Sequence, residues 1–175
     1  MATTGSERLA ESERWLVELF EHHADAVFNV AYRVTWSAAD AEDVLQESFV
    51  QAFLHRADLR DPARARPWVL SIAYRQALMC CRARRESPTD PSLLDPRPDR
   101  AGDPLDAVVN GERAGMVREA IGRLSEDLRT AVVLRDAEGL PLREVAEILG
   151  IGLSATKMRV ARAREQLRAA LGEVL

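Results

Sequence analysis

The chemistry available to this 175-residue chain lies in three clusters of charge. Beyond Gly150, a run to Arg168 carries Lys157, Arg159, Arg162, Arg164 and Arg168 against one acid, Glu165. At helical spacing that is a cationic ridge of the kind that enters a major groove. Upstream, Arg64, Arg66, Arg75, Arg82, Arg84 and Arg85 surround Trp68 and Tyr74, with no acid from Pro67 to Arg85. Arginines interleaved with aromatic rings suit a single-stranded nucleic acid, rings stacking on bases and cations on phosphates. A Trp opening an apolar helical stripe belongs more often to a core, so Trp68 is assigned to the core and Tyr74 is left open. The third cluster is acidic and amide: Glu42, Asp43, Gln46, Glu47 and Gln51, with no Lys or Arg at i+4. It reads as a solvated helix face or as a docking surface for a basic partner, and composition favours the first.

The elements that position these clusters are helical. Leu16, Leu19, Phe20, His23, Val27, Val30, Ala31 and Val34 recur at three- and four-residue steps, which predicts two antiparallel helices or one long bent one after a mobile lead-in at 1–12. Ser37 or Asp40 can cap the next helix, whose Leu45, Phe49 and Phe53 form a buried stripe. Residues 57–67 read as a loop, and Pro67 suits the first turn of a helix running from Trp68 to about Arg85. Helical patterning resumes near Arg113 through Val117, Ile121 and Leu124. Ser125 then serves as an N-cap before Glu126 and Asp127, and Gly139 is a stop. Val145, Ala146 and Leu149 share a helix face, Gly150 can take the left-handed C′ position, and Ile151 re-enters the core before the cationic run. That pattern is a helix-turn-helix.

Between the halves, Glu86 to Glu112 holds five of the eight prolines, seven acids and two arginines, a net charge of −5 (2 − 7). Such a stretch stays extended and self-repelling, so residues 87–112 read as a linker or as an acidic segment that follows a basic groove. All nine aromatic residues lie between Trp15 and Tyr74, which predicts two domains, 13–86 and 113–175, with separate cores. The fold class expected is all-α, two small helical domains joined by an extended acidic linker.

The totals exclude several classes. No apolar run reaches the ~20 residues that span a bilayer, and Met1 to Arg14 lacks a signal core, so membrane insertion is not expected and the location reads as cytoplasmic. The two cysteines, Cys80 and Cys81, are adjacent, which fits a reducing compartment and buried structural thiols on a helix better than a redox handle. His22, His23 and His55 lie far from them, so neither a metal nor another cofactor is expected. No nucleophile–base pair or phosphate loop supports an enzyme. The net charge of −4 is low for a protein gripping duplex DNA unaided, so either the local basic patches suffice or another protein supplies affinity.

Taken in order, Asp40-Ala-Glu-Asp-Val-Leu-Gln-Glu-Ser-Phe49, Trp68-Val-Leu-Ser-Ile-Ala73, Leu124-Ser-Glu-Asp-Leu-Arg129, Glu138-Gly-Leu140, Glu144-Val-Ala-Glu-Ile-Leu-Gly-Ile151 and Arg162-Ala-Arg-Glu-Gln-Leu167 resemble the extracytoplasmic-function group of bacterial sigma-70-type sigma factors. The resemblance covers roughly Leu16 to Leu171. It implies that Asp43, Gln46 and Glu47 dock on the clamp helices of the largest subunit of core RNA polymerase. It implies that Arg64, Arg66, Tyr74, Arg75 and Arg82 open and hold the minus-10 strand of promoter DNA. It further implies that Ser154, Thr156, Lys157, Arg159 and Arg162 read the minus-35 duplex, near the flap region of the second-largest subunit. The linker would thread close to the polymerase active centre and RNA exit path. A separate anti-sigma factor is the expected regulator, since the chain ends at Leu175 with no room for a further control domain. Two stretches depart from the family's usual text. Tyr74-Arg75 and Met79 stand where Arg-Asn and an Asp are frequent, and Ser154-Ala-Thr-Lys-Met-Arg159 stands where Gly-Thr-Val-Lys-Ser-Arg is common. Both fall where promoter sequence would be read. The reading from another class is an autonomous helix-turn-helix regulator, which would need neither the acidic helix nor the linker.

Overall fold

In the computed structural model, which describes residues 5–86 and 111–172, the described residues are helical with no strand. The first helix, α1 (Gly5–Thr35), is one continuous element that reaches back into the stretch read as a mobile lead-in. Nothing between Ser6 and Trp15 breaks it, because Glu, Arg, Leu and Ala there are all good helix formers. Trp36 ends it at φ 55°, a left-handed conformation costly for a bulky residue, and its N–H closes on the Tyr32 carbonyl at 2.8 Å. Of the two capping candidates, Ser37 takes the role. Its hydroxyl accepts the Asp40 N–H at 3.2 Å and starts α2 (Ala38–Leu54).

Two short 3-10 turns, Arg56–Asp58 and Pro62–Arg64, occupy the expected loop, the second capped by the Asp61 carboxylate. Next, α3 (Ala65–Glu86) begins slightly earlier than the sequence suggests and carries Pro67 inside its first turn. The expected linker, 87–112, lies outside the described residues except for its last two positions, which belong to α4 (Gly111–Gly122). After it, α5 (Glu126–Val132) has Ser125 at the N-cap position, but the Ser125 side chain makes no capping hydrogen bond. The first-turn acids Glu126 and Asp127 are what face the positive helix end. A π-turn over Val133–Ala137, unforeseen in the sequence, widens the end of α5 before Gly139 turns the chain at φ 69°. The pair α6 (Leu142–Leu149) and α7 (Leu153–Leu171) follows, with Gly150 left-handed at φ 65° and the Ile151 N–H bonded to Ala146 O at 3.1 Å.

Helices α1, α2 and α3 form one bundle around Val27, Tyr32, Val44, Phe49, Val69 and Leu70. The expectation of separate cores does not hold. Leu134, Leu140, Val145 and Ile148 from the second half belong to the same buried cluster, α6 packing on α3 and α5 on α1. A small satellite, Leu124, Val132 and Ala163, joins α5 to α7. The aromatic asymmetry reflects ring-rich packing in the bundle; aliphatic side chains of the second half extend that core without rings of their own. At the seam, Arg129 of α5 is almost fully buried, its guanidinium 5.0 Å from the Trp36 ring centre and Nη2 donating to Leu124 O at 2.9 Å. Desolvation pulls its pKa below the usual arginine value.

Candidate nucleic-acid interface

On α7 the inward stripe is Thr156, Val160 and Ala163, all buried. Thr156, one of the residues assigned to the duplex, is fully enclosed and donates its hydroxyl to Gly152 O at 3.1 Å, so it locks the turn rather than offering a donor outward. Ser154, Lys157 and Arg162 are exposed. Arg159 is half-buried, with Nη2 2.8 Å from the Asp127 carboxylate. Arg164 is clamped by Asp136, whose two oxygens accept from Nε at 2.9 Å and Nη2 at 2.5 Å, tying α7 to the π-turn. The outward face of the recognition helix is thus narrower than its count of cations suggests.

The single-strand candidates divide in the same way. Arg66 donates to Glu138 at 2.7 Å, and Arg64 pairs with Glu147 of α6. Both therefore meet acids of the second half. The Glu138 carboxyl is only 5% exposed and also accepts a long contact from Asn29 Nδ2 at 3.4 Å. Tyr74 is buried, and its phenol is held uncharged by burial first and by Glu126 and Asp127 next. Arg75 and Arg82 are exposed, Arg75 donating to Ser71 O at 3.1 Å. Together with Trp68, Gln76 and Met79 they line an open cleft of about 560 Å³ between α2 and α3. Tyr74, left open by the sequence and assigned to the minus-10 strand only by resemblance, lies inside; Trp68 packs against the core as expected, 6.4 Å from Trp15, but is only half-buried and also lines this cleft.

On α2, Glu42, Asp43, Gln46 and Glu47 are exposed while Val44, Ser48 and Phe49 are buried. Glu47 accepts from Gln51 Nε2 at 2.7 Å. Asp40, at the start of the same helix, pairs with Arg84 at 2.6 Å. Both thiols, Cys80 and Cys81, are free and half-buried on α3. Cys81 Sγ lies 3.7 Å from Val34 O, and burial pushes the Cys80 pKa up to about 11. Among the described residues no cluster of His, Cys, Asp or Glu could hold a metal ion, and no helix is long and apolar enough to cross a membrane.

Sequence reasoning missed the acids Asp127, Asp136, Glu138 and Glu147, each of which neutralises a cation assigned to DNA. Their partners lie 28 to 83 positions away in the chain for the three pairs Asp136–Arg164, Glu138–Arg66 and Glu147–Arg64, beyond the reach of any periodicity.

A helical bundle with a cleft of exposed arginines beside a tryptophan, packed on a helix-turn-helix with exposed cations on its second helix, is an arrangement suited to binding nucleic acid. Residues 19–87 match the family described as Sigma-70 region 2, and residues 114–167 match Sigma-70, region 4. The ECF RNA polymerase sigma factor SigJ of Mycobacterium tuberculosis is 36% identical over 87% of this chain, and the chain spans 50% of that relative's length. The RNA polymerase sigma factor CarQ of Myxococcus xanthus is 31% identical, covering 90% of this chain and 89% of its own. Among solved structures, the sigma factor RpoE of Bartonella quintana, in complex with the anti-sigma factor NepR, superposes with a TM-score of 0.76 at 22% identity. That superposition covers 89% of this chain and 96% of the other. The chain belongs to the extracytoplasmic-function group of the sigma-70 family.

Proposed function

We propose that this chain is a promoter-specificity subunit of bacterial RNA polymerase, bringing core enzyme to a set of promoters and helping to open them. The observation that carries the reading is the order of three surfaces on one chain. An exposed acidic face on α2 comes first, then the cleft with Trp68, Arg75 and Arg82, then the outward face of α7. Such a chain performs no bond chemistry of its own. Asp43, Gln46 and Glu47 meet a basic surface of the largest polymerase subunit, where carboxylates steer association. Opening a duplex forfeits a stack and a pair per step, and the cleft recovers part of that when a displaced base packs against the Trp68 indole while Arg75 and Arg82 neutralise phosphate. Ser154, Lys157 and Arg162 read the upstream duplex, with Arg159 joining once Asp127 lets go. A net charge of −4 is consistent with polymerase providing much of the grip.

Arg64 and Arg66 contribute to strand binding only after exchanging Glu147 and Glu138 for phosphates, so polymerase binding parts the two halves. A partner anti-sigma protein would act by keeping α2 or the seam from that rearrangement. The Bartonella structure of like fold was solved in complex with such a factor, which is consistent with a control partner of this kind.

The test is run-off transcription by core polymerase with and without the chain on a promoter library. Specific transcripts that depend on the chain are the expected result. Tight, sequence-specific protection of duplex DNA by the chain alone, with no stimulation of polymerase, would overturn the reading in favour of an autonomous regulator.

A further inference from the structure

The outward pole of α7 is occupied by a methionine. With the helix advancing about 100° per residue, the buried set Thr156, Val160 and Ala163 fixes the inward direction, and the opposite direction falls within roughly 20° of Met158. Met158 is 54% exposed. Around it stand Ser154 and Ala155 one turn towards the N-terminus, Lys157 on one flank and Arg162 one turn beyond, all exposed. The first turn of α7 contains no acid, and Lys157 is the only lysine of the chain. The next acid on the same face is Glu165, two turns on, which marks where the helix stops facing phosphates.

We propose, on the basis of the promoter-reading function above, that Met158 is a specificity residue of the helix-turn-helix that selects a thymine methyl group in the major groove. Each base pair shows polar groups on that edge, and the thymine C5 methyl is the one apolar feature. A thioether has no donor and only a weak acceptor, so it cannot distinguish bases by hydrogen bonding. Pressed against a cytosine amino group or a guanine O6, it would strand a desolvated polar atom; pressed against a methyl it strands none. Its three rotatable bonds let it reach the edge while Lys157 and Arg162 hold phosphates or purines on either side. Ala155, small and exposed beside it, leaves room for the methyl group instead of competing for the space. The flanking cations favour a nucleic acid over an apolar protein surface as the occupant of this face.

The experiment uses holoenzyme assembled from core polymerase and the full chain. Duplexes randomised through the minus-35 segment are selected with wild type and with Met158→Ser. Each thymine the wild type selects is then replaced by deoxyuridine, which removes the methyl and nothing else. Wild type should enrich thymine at one position and lose roughly three- to fourfold in affinity when that base becomes deoxyuridine, the effect of one buried methyl. Met158→Ser should lose both the enrichment and the sensitivity. Equal deoxyuridine sensitivity in both proteins, or none in wild type, overturns the assignment while the sigma function stands. Unchanged selection by Met158→Ser also overturns it and gives the exposed side chain to a protein partner. Failure of the holoenzyme to enrich any duplex overturns the promoter-reading function itself.

Discussion

Replacing Glu138 with Gln is the sharpest perturbation of the seam between the halves. The carboxyl is 5% exposed and receives the Arg66 guanidinium at 2.7 Å, while Arg66 itself is 44% exposed and stays solvated when its partner is neutralised. Two limits bracket the effect. A charge-assisted hydrogen bond contributes about 1.5–3 kcal/mol, and an exposed pair about 0–1 kcal/mol. Because the Gln amide can still accept from Asn29 and Arg66 loses no solvent, the expected destabilisation is about 1–2 kcal/mol. With a urea m-value of roughly 2 kcal/mol/M, that lowers the unfolding midpoint by about 0.5–1 M. The assay is urea unfolding followed by the fluorescence of Trp15, Trp36 and Trp68, all in the first half, with hydrogen exchange of α6 as the second reading. In an Arg66→Gln background, Glu138→Gln should cost measurably less, since its partner is gone. The same variant should raise the affinity of the isolated chain for a single-stranded minus-10 oligonucleotide, because Arg66 no longer has to leave a carboxylate. Strict additivity of the two substitutions, or a midpoint unchanged by Glu138→Gln, would refute the claim that this pair holds the seam.

Reversing Asp43 and Glu47 to Arg should weaken binding to core polymerase at least tenfold in pull-down or fluorescence titration and leave the unfolding free energy within about 0.5 kcal/mol, since both are exposed; unchanged affinity would return them to the solvated face. Arg162→Ala should cost about 1–3 kcal/mol of minus-35 binding if the contact is bidentate to a base, or flatten the salt dependence by about one unit if it goes to phosphate. The His23 pKa is lowered, by burial first, then by Arg66 and His22. Its stabilising contribution is therefore complete above the unfolded value of 6.5 and lost as pH falls through the lower folded value, so His23→Gln should flatten the loss of stability on acidification, and a slope identical to wild type would exclude His23 as its source. With its pKa at about 11, Cys80 should react with iodoacetamide far more slowly at pH 8 than a free thiol and gain rate as pH approaches that value; rapid labelling of native protein at pH 8 would contradict the burial.

The helix-turn-helix and the capped second helix were legible in the sequence because they rest on local rules. Gly150 takes the left-handed C′ conformation, Ser37 caps α2, and Val145 and Ala146 of the expected α6 face are buried, with Ile148 beside them where Leu149 was expected. What the sequence could not carry is the pairing between halves. Glu138 lies 72 residues from Arg66, and Glu147 lies 83 residues from Arg64. In one dimension each looked like an ordinary helix acid, and Arg66 like a free cation. The burial of Tyr74, on the same helix as the core-packed Trp68, was out of the sequence's reach for a related reason. Both sit on the apolar stripe of α3, but the tyrosine falls under the N-terminal end of α5, an element contributed by the other half. The π-turn at Val133–Ala137 has no Gly or Pro to announce it; its Asp136 is needed where it stands to hold Arg164.

Under the proposed function, these pairings set when an acidic chain can offer its arginines to DNA. Of the cations assigned to nucleic acid, Arg64, Arg66 and Arg159 each meet a carboxylate of the chain itself. A phosphate that takes one of these arginines leaves a carboxylate behind, and the net gain is the difference between two charge-assisted contacts. That difference is small for the free chain, so weak non-specific DNA binding is the expected resting behaviour. It becomes large only when something else accounts for Glu138 and Glu147. Polymerase can do this by pulling α6 away from α3, which returns both acids to water, where an exposed charge costs little. Among the described residues no ion pair holds Lys157 or Arg162, so on the proposed function the duplex face is ready before the strand face is. Under the proposed function the chain should find an upstream duplex first and release its strand-binding arginines second, an order that stopped-flow measurement with separately labelled minus-35 and minus-10 DNA would resolve as two phases. Simultaneous engagement of both segments would show that the seam sets no order.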